Sequence, residues 1–187
     1  MIRGITGYGE GNGPFISIHD GFIGLPQWAG FLPGSDRIAI DTHPYFAFNG
    51  GTNTAPINVG TGSNAGGVWP SQACQSWAAG INQRCVFPVL PWLNPDRLTW
   101  RGNSQSAFGV TIAGEFSNGY NDCGLFLHGV GGTATYGGDC SVWEDASTWD
   151  QPTKDGVLQF ALASMDALQD WFFWTWKVCL STVSEYT

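Results

Sequence analysis

Charged residues are scarce in this chain of 187 amino acids: they make up 12% of it, about half the share usual in a globular protein. Seven basic residues stand against fifteen acidic ones, which leaves a net charge of −8. A protein that binds nucleic acid or an anionic membrane surface needs a basic face to neutralise phosphates, and this composition provides none. We therefore expect no nucleic-acid partner.

Long apolar runs are also missing. No stretch approaches the run of about 20 apolar residues that a membrane-spanning helix requires. The first ten residues, MIRGITGYGE, lack the apolar centre of a signal peptide. We expect neither a membrane span nor a signal peptide in this chain.

Signatures of metal, nucleotide and serine-hydrolase sites are absent from the sequence. The five cysteines form no Cys-x-x-Cys pair and the three histidines are scattered, so we expect no metal site. Because five is odd, at least one thiol lacks a partner within the chain. No Gly-x-Gly-x-x-Gly, Walker or Gly-x-Ser-x-Gly sequence occurs, and we expect no cofactor.

Aromatic residues are abundant, with 10 Trp, 12 Phe and 5 Tyr in a chain whose apolar share is 43%. This is enough apolar material for one folded domain with a substantial core. Flat rings with a polar edge also suit amphipathic ligands such as sugar rings. Composition alone leaves both interpretations open.

Four short apolar segments predict buried parallel strands, each followed by polar or aromatic residues. They are residues 15–18, 37–40, 108–113 and 171–176. Between the last two, apolar residues at helical spacing predict an amphipathic helix over 153–170 that packs on the sheet. We also expect a short helix over 122–128 and a surface loop over 49–67 near the mouth of a site.

Glu115 is the first candidate for chemistry. It is one of four glutamates, and it follows an apolar strand in the sequence VTIAGEFS, after a glycine that lets the backbone turn. A carboxylate in this position can act as a nucleophile or general base. It can equally be a structural carboxylate that accepts hydrogen bonds from loop amides.

His43 and Tyr45 follow the second predicted strand, and their spacing of two directs both side chains to the same side of an extended segment. Together they can hold and tune a carboxylate, although a lone histidine is more often structural. Asp20 has a similar strand-end position and is interpreted mainly as a site-wall or architectural residue. In the aromatic segment 171–176, Trp174 or Trp176 is the candidate floor of a sugar subsite.

Three motifs resemble the fungal exo-β-1,3-glucanases of glycoside hydrolase family five. They are DTHPYFAF at 41–48, AGEFS at 113–117 with the following Asp122 and Cys123, and WFFWTWK at 171–177. The order, spacing and strand-end placement of the motifs agree with that family. The resemblance covers nearly the whole chain apart from residues 84–102 and about the last ten.

The resemblance implies an α/β fold of the (β/α)8 TIM-barrel type, of which residues 1–187 would form the carboxyl-terminal half, about strands five to eight. The implied chemistry is retaining hydrolysis of β-1,3-glucan with Glu115 as the nucleophile. The family's acid/base glutamate, in an Asn-Glu-Pro motif, would lie ahead of Met1, and no such motif occurs here. We therefore expect little or no turnover by this chain alone.

Further roles follow from the same matching. His43 and Tyr45 would position the nucleophile and substrate, Phe48 would belong to an aromatic clamp, and Trp174 would lie under the nonreducing-end glucose. Cys123 and Cys140 resemble a family disulfide, whereas Cys74 matches a cysteine whose partner would lie beyond Thr187, so it should be unpaired.

Residues 84–102 carry three of the ten prolines and three of the seven basic residues, with no strand or helix period. This unmatched insert and the divergent tail 178–187 both begin where Val and Cys codons could spell a splice-donor sequence. Retained introns in the gene are a hypothesis that explains both.

The implied partner is a β-glucan polysaccharide or oligosaccharide, and the implied location is extracellular or the cell wall. Half a barrel has open sheet edges, so self-association through them is expected. Two alternatives stay open: a noncatalytic glucan-binding or wall-associated protein that stacks sugars on Phe48 and the tryptophans, and a β-1,4-glucanase of the cellulase type.

Overall fold

A computed structural model describes residues 13–33, 36–48, 53–78, 81, 105–106, 108–124 and 126–175 of the chain. The predictions made for the 84–102 insert, for Trp176 and for the 178–187 tail lie outside the described residues.

Five strands form a mostly parallel sheet. They are β1 (Ile16–His19), β2 (Ile38–Thr42), β3 (Gln105–Ser106), β4 (Gly109–Phe116) and β5 (Trp171–Phe173). Strand β1 pairs with β2, β2 with β4, and β4 with β5, all in parallel, whereas the short β3 runs antiparallel to the start of β4. Parallel strands joined through helices are the mark of the α/β class, and this part of the fold prediction is confirmed.

In the described residues, two α-helices lie between the parallel strands. Helix α1 (Trp69–Ala73) continues into a π-helical turn, Cys74–Ala78. Helix α2 (Gln151–Leu168) begins where the Asp150 carboxylate accepts a hydrogen bond of 2.9 Å from the Thr153 amide, which satisfies one of the free donors of the first turn. Short 3₁₀ turns form at Leu25–Trp28, Phe46–Phe48, Gly62–Asn64, Cys140–Trp143 and Ala146–Thr148.

The buried face of α2 differs from the expected one. Sequence spacing pointed to a stripe that includes Leu158 and Leu162, and both side chains are exposed. The face that packs inward contains the fully buried ring of Phe160 and four smaller residues, Gly156, Ala163, Ser164 and Ala167. Residues 158 and 160 lie about 200° apart around a helix. Leu168, which also belongs to the expected stripe, is fully buried, so the expected and observed faces overlap at the end of the helix.

An aromatic cluster fills the core between the helices and the sheet. Phe46 stacks on Trp77 with ring centroids 4.7 Å apart, and Trp77 contacts the ring of Phe116 on β4. Trp69 and Phe160 pack beside them and are fully buried. Much of the aromatic excess in the composition therefore serves the core.

Two of the strand boundaries move. Strand β4 extends to Phe116, so Glu115 lies inside the strand instead of after it. Strand β5 ends at Phe173, which places Trp174 in the turn that follows. Glu115 therefore projects from a strand, and Trp174 projects from a turn.

The short helix expected over 122–128 does not form, and the described residues of this stretch adopt turns. The buried Asp122 carboxylate accepts hydrogen bonds from the Thr135 amide at 2.6 Å and contacts His128 Nε2 at 2.8 Å. These contacts join the stretch to a later part of the loop, and they replace the hydrogen bonds a helix would make.

The loop expected over 49–67 also differs from its prediction, in the part described from residue 53 onward. Ile57 and Ala65 are buried in the core, and the backbone at Ile57 packs against Gly156 of α2. None of residues 53–67 lines the cavity described below. Because a glycine on α2 admits the loop backbone, a polar segment contributes to the core instead of to the site mouth.

Two disulfide assignments are visible. The structure joins Cys123 to Cys140 across a sequence separation of 17 residues. Cys74 is also disulfide-bonded. The expectation that Cys74 is unpaired is therefore wrong, because its bond is made within this chain and needs no residue beyond Thr187.

In the part of the chain that the structure describes, no helix is both long enough and apolar enough to cross a bilayer.

We predict that Gly156→Ala destabilises the fold by about 1–3 kcal/mol, the range typical of overpacking. The added methyl would overlap the Ile57 carbonyl, and backbone yields less readily than a flexible side chain. The higher helix propensity of alanine offsets about 1 kcal/mol of this loss of stability. The net destabilisation is therefore expected near the lower end of the range. Urea unfolding measures the change. Gly124→Ala is the matched control, because its methyl would meet Leu127 at an ordinary 3.5 Å; equal stability of both variants would contradict the packing argument.

The Asp122 carboxylate makes stability depend on pH in a defined window. Burial alone would raise the pKa of Asp122, but the hydrogen bonds from Thr135, His128 and the Tyr136 backbone outweigh it and lower the pKa to about 2. Because the folded-state pKa lies below the ordinary 3.8, the stabilisation is present above pH 3.8 and is lost as the pH falls towards 2.

We expect Asp122→Asn to be less stable than wild type by about 2 kcal/mol at pH 6, with the gap closing between pH 4 and pH 2. Urea unfolding at a series of pH values measures it. Asp155→Asn is the control, because that carboxylate accepts a hydrogen bond from the mobile Gln151 side chain on the outside of α2. A wild-type to Asp122→Asn gap that stays constant down to pH 2 would contradict the assignment.

Candidate active site

The carboxyl ends of β1, β2 and β4 meet at one edge of the sheet. The register pairs His19 with Asp41 across β1 and β2, and Thr42 with Ala113 across β2 and β4. Residues that follow β2 therefore lie beside the end of β4. The rings of His19 and His43 meet here with centroids 4.5 Å apart and nearly perpendicular planes.

Three predicted site residues come together around the Glu115 carboxylate. The Tyr45 hydroxyl donates a hydrogen bond of 2.8 Å to Glu115 Oε2, and His43 Nδ1 lies 3.5 Å from the same oxygen. The Glu115 side chain is 34% exposed. It is therefore reachable from solvent and is held from one side by two polar groups of the segment after β2.

The contact with Glu115 keeps the Tyr45 hydroxyl protonated. Burial raises the pKa of Tyr45 well above its ordinary value of 10, and the hydrogen bond to Glu115 and the negative charge of that carboxylate raise the pKa further. Across the physiological range Tyr45 is a neutral hydrogen-bond donor. It can orient a carboxylate without taking its place as a base.

An irregularity in the sheet turns Glu115 towards this edge. Ala113 pairs with Trp171 and Phe116 pairs with Phe173, so three steps along β4 match two along β5. Such a bulge reverses the side-chain alternation. Ala113 and Phe116 are both fully buried, and Glu115, between them, emerges at the end of the strand.

Asp41 also belongs to this group, and sequence reasoning did not select it. Its Oδ1 accepts a hydrogen bond of 2.8 Å from the Gly114 amide, and its Oδ2 lies 3.5 Å from His43 Nε2. The signal was available, since positions 41, 43 and 45 alternate along one extended segment. The segment was assessed from its histidine and tyrosine alone.

A cavity of about 1380 Å³ opens over the carboxylate. Ligand pockets typically measure about 300–1,000 Å³, so this one exceeds the needs of a single small ring. Rings and carboxylates from five parts of the chain line it. They include Phe22, His43, Tyr45, Phe48, Glu115, Tyr120, Trp143, Glu144, Trp149 and Trp174.

The two predicted aromatic residues lie at this cavity with their rings open to solvent. Phe48 is 62% exposed and Trp174 is 59% exposed. The Phe48 ring packs edge-on against Tyr45 at a centroid distance of 5.4 Å. Phe22, which sequence reasoning missed, adds a third exposed ring beside His43. No feature of its local sequence marked it, because the turn that carries it is defined by tertiary contacts.

Asp20 lies outside the cavity lining. It is 4% exposed, and its carboxylate accepts hydrogen bonds from the Phe22 amide at 3.0 Å and the Thr42 hydroxyl at 3.2 Å. These contacts hold the turn after β1 and tie it to β2. The placement supports the architectural interpretation of Asp20.

A disulfide-linked segment forms one wall of the cavity. Cys123 lines the cavity, and so do Trp143 and Glu144, which follow its disulfide partner Cys140 in the chain. Trp143 packs edge-on against Trp149 with centroids 5.5 Å apart. Closing a loop of this length stabilises a fold by about 3 kcal/mol in the chain-entropy account.

Chemically, the site combines a partly exposed carboxylate, a neutral phenol donor, an imidazole and a wide aromatic cavity. In the described part of the chain, no group of three or more His, Cys, Asp or Glu side chains is arranged to hold a metal ion. The arrangement suits a carboxylate that acts directly on a ligand lying against aromatic rings.

Comparison with known proteins agrees with this chemistry. No family model matches the chain. It is 30% identical over 204 residues to "Probable glucan 1,3-beta-glucosidase D" of Aspergillus clavatus, a match that covers 94% of this chain and 20% of the relative. The protein of the same name from Aspergillus fumigatus is 27% identical with the same coverage.

A shorter match reaches the "Glucan 1,3-beta-glucosidase" of Schwanniomyces occidentalis, which is 30% identical over 90 residues, 42% of this chain and 21% of that relative. The chain thus spans about a fifth of the length of these curated relatives. The similarity to the Aspergillus proteins extends over nearly all of its residues, and the chain is a homologue of the curated proteins named glucan 1,3-beta-glucosidase.

Proposed function

We propose that this chain carries the nucleophile of a retaining glycoside hydrolase that acts on β-1,3-glucan, with Glu115 as the nucleophile. The observation that carries the proposal is the Glu115 carboxylate, held by Tyr45 and faced by His43 at an aromatic cavity. The names of the relatives support glucan as the substrate.

The contacts of Glu115 Oε2 support a division of tasks between the two carboxylate oxygens. Tyr45 and His43 both face Oε2, so Oε1 is the oxygen that attacks the anomeric carbon. The C–O bond to the leaving group breaks as the new ester bond forms, and water later releases the sugar with retention. The hydrogen bond from Tyr45 orients the carboxylate.

Full turnover needs a second carboxyl group about 5–5.5 Å from the nucleophile, which protonates the leaving oxygen. The family's Asn-Glu-Pro motif does not occur in this sequence. Loss of general-acid catalysis lowers a rate by about 10²- to 10⁴-fold. We therefore propose that this chain alone is inactive or weakly active on unactivated glucan.

A barrel fragment is the architecture we propose for residues 1–187. The parallel strands β1, β2, β4 and β5 are neighbours in the order in which they occur along the chain, as in a singly wound barrel. Such a fragment leaves β1 and β5 with open edges, and we propose that the chain self-associates through them or pairs with further barrel strands.

A glucan-binding role without catalysis is the second candidate. The exposed rings of Phe48 and Trp174 at the cavity favour it, since stacking requires no second carboxylate.

For the glycosidic linkage of the substrate, the names of the relatives favour β-1,3 over β-1,4 bonds. We also propose an extracellular or cell-wall location, which the Cys123–Cys140 bond supports because disulfides persist in oxidising compartments.

The nucleophile is tested with 2,4-dinitrophenyl 2-deoxy-2-fluoro-β-glucoside, whose leaving group needs no acid. We expect a covalent adduct on Glu115, located by peptide mass spectrometry, and a labelling rate at least about 1,000-fold lower in Glu115→Gln. Glu144→Gln, at the other glutamate lining the cavity, should label like wild type. An adduct on any other residue would overturn the assignment.

Binding is tested by retention on insoluble β-1,3-glucan. We expect about 5- to 10-fold weaker binding in Trp174→Ala, because a stacked ring contributes on the order of 1 kcal/mol. Phe172→Ala is the matched control, an exposed ring two residues away that does not line the cavity. If the fluoroglucoside does not label the wild-type protein and Trp174→Ala loses retention on glucan, the binding role is favoured. If Trp174→Ala and Phe172→Ala are retained equally, Trp174 does not belong to the subsite.

A further inference from the structure

We infer that Asp41 is a positioning residue of the Glu115 site, which acts on the nucleophile through the backbone of Gly114 and through the imidazole of His43. The inference rests on the proposed role of Glu115. It gives a role to Asp41, which lies outside the cavity lining beneath the site.

The first route runs through the backbone. Asp41 Oδ1 accepts a hydrogen bond of 2.8 Å from the amide of Gly114, the residue directly before Glu115. That amide lies in the bulge of β4, where the regular pairing with β5 is interrupted. A bulge leaves a backbone group without its ladder partner, and a charged acceptor satisfies it with a strong hydrogen bond. The direction in which Glu115 leaves the strand is thereby fixed.

The second observation is that residue 114 has no side chain. A Cβ built on Gly114 would overlap the Asp41 carboxylate group itself. The carboxylate thus occupies the volume that a side chain at 114 would need. Asp41 and Gly114 form a matched pair, and the pair holds β2 and β4 together at the level of the nucleophile.

The second route runs through His43. Its Nε2 lies 3.5 Å from Asp41 Oδ2 and its Nδ1 lies 3.5 Å from Glu115 Oε2, so one imidazole bridges two carboxylates. Asp41 and His43 are each 20% exposed, so water screens the arrangement only in part. Carboxylate–imidazole pairs of this kind set the orientation and proton position of the ring.

Other groups that face the imidazole come from neighbouring elements. His19 on β1 contacts the ring with centroids 4.5 Å apart, and Phe22 lies beyond it at 6.3 Å. The Tyr45 hydroxyl donates a hydrogen bond to the same Glu115 oxygen. Among these groups, Asp41 is the carboxylate that faces His43 Nε2, whereas Glu115 faces His43 Nδ1. The attraction of the ring to Asp41 therefore opposes its attraction to Glu115.

Asparagine separates the two routes experimentally. Asp41→Asn keeps an oxygen that can accept from the Gly114 amide, but it removes the negative charge that faces His43. Asp155→Asn on α2 is the matched control for the same chemical change away from the site. Fluoroglucoside labelling is measured as a function of reagent concentration, which separates the rate constant of adduct formation from the dissociation constant of the reagent.

We expect the rate constant in Asp41→Asn to fall about 10- to 100-fold, the scale of a misplaced reacting group, while the dissociation constant stays within about twofold. The ¹⁵N shifts of the His43 ring should change in Asp41→Asn and stay constant in Asp155→Asn. A purely structural carboxylate would leave both readings unchanged in the folded variant.

Each other result is decisive. If wild type labels on Glu115 and Asp41→Asn labels at the same rate, the charge of Asp41 does not act through His43; the inference of two routes is then wrong, and the proposed function stands. If Asp41→Asn fails to fold, the carboxylate is structural and the inference is likewise overturned. If wild type forms no adduct on Glu115, the proposed function fails and the inference fails with it.

Discussion

The hydrogen bond between the Tyr45 hydroxyl and the Glu115 carboxylate is the contact on which the candidate site depends. It joins residues 70 positions apart in the chain, one after β2 and the other at the end of β4. It forms because parallel pairing of β2 with β4 brings both segments to one edge of the sheet. The bulge at the end of β4 then turns the glutamate outward, where a partly exposed carboxylate meets a protonated phenol.

The aromatic residues divide between two tasks. Phe46, Trp77 and Phe160 fill the core beneath the sheet, where they are buried and packed ring against ring. Phe48 and Trp174, at the cavity, are largely exposed. An exposed ring beside a carboxylate gains nothing from core packing, so its position is better explained by a ligand with an apolar face.

Neighbouring loops supply the rest of the cavity. The disulfide-linked segment between Cys123 and Cys140 forms one wall, held from below by the buried Asp122. The turn after β1, fixed by Asp20, carries Phe22 to the rim. The parallel sheet is thus the base, and two differently anchored loops shape the space above it.

Local sequence determined the four parallel strands and the long helix, and it pointed to Glu115, His43 and Tyr45 as candidates, because apolar runs and strand-end polar residues are short-range patterns. Tertiary structure decided which face of α2 is buried, where β4 ends, that Asp122 organises a turn instead of a helix, and that Cys74 is bonded. It also placed Asp41 against Gly114. Those features arise from contacts between residues distant in the chain, and only the packed sheet brings such residues within hydrogen-bonding distance.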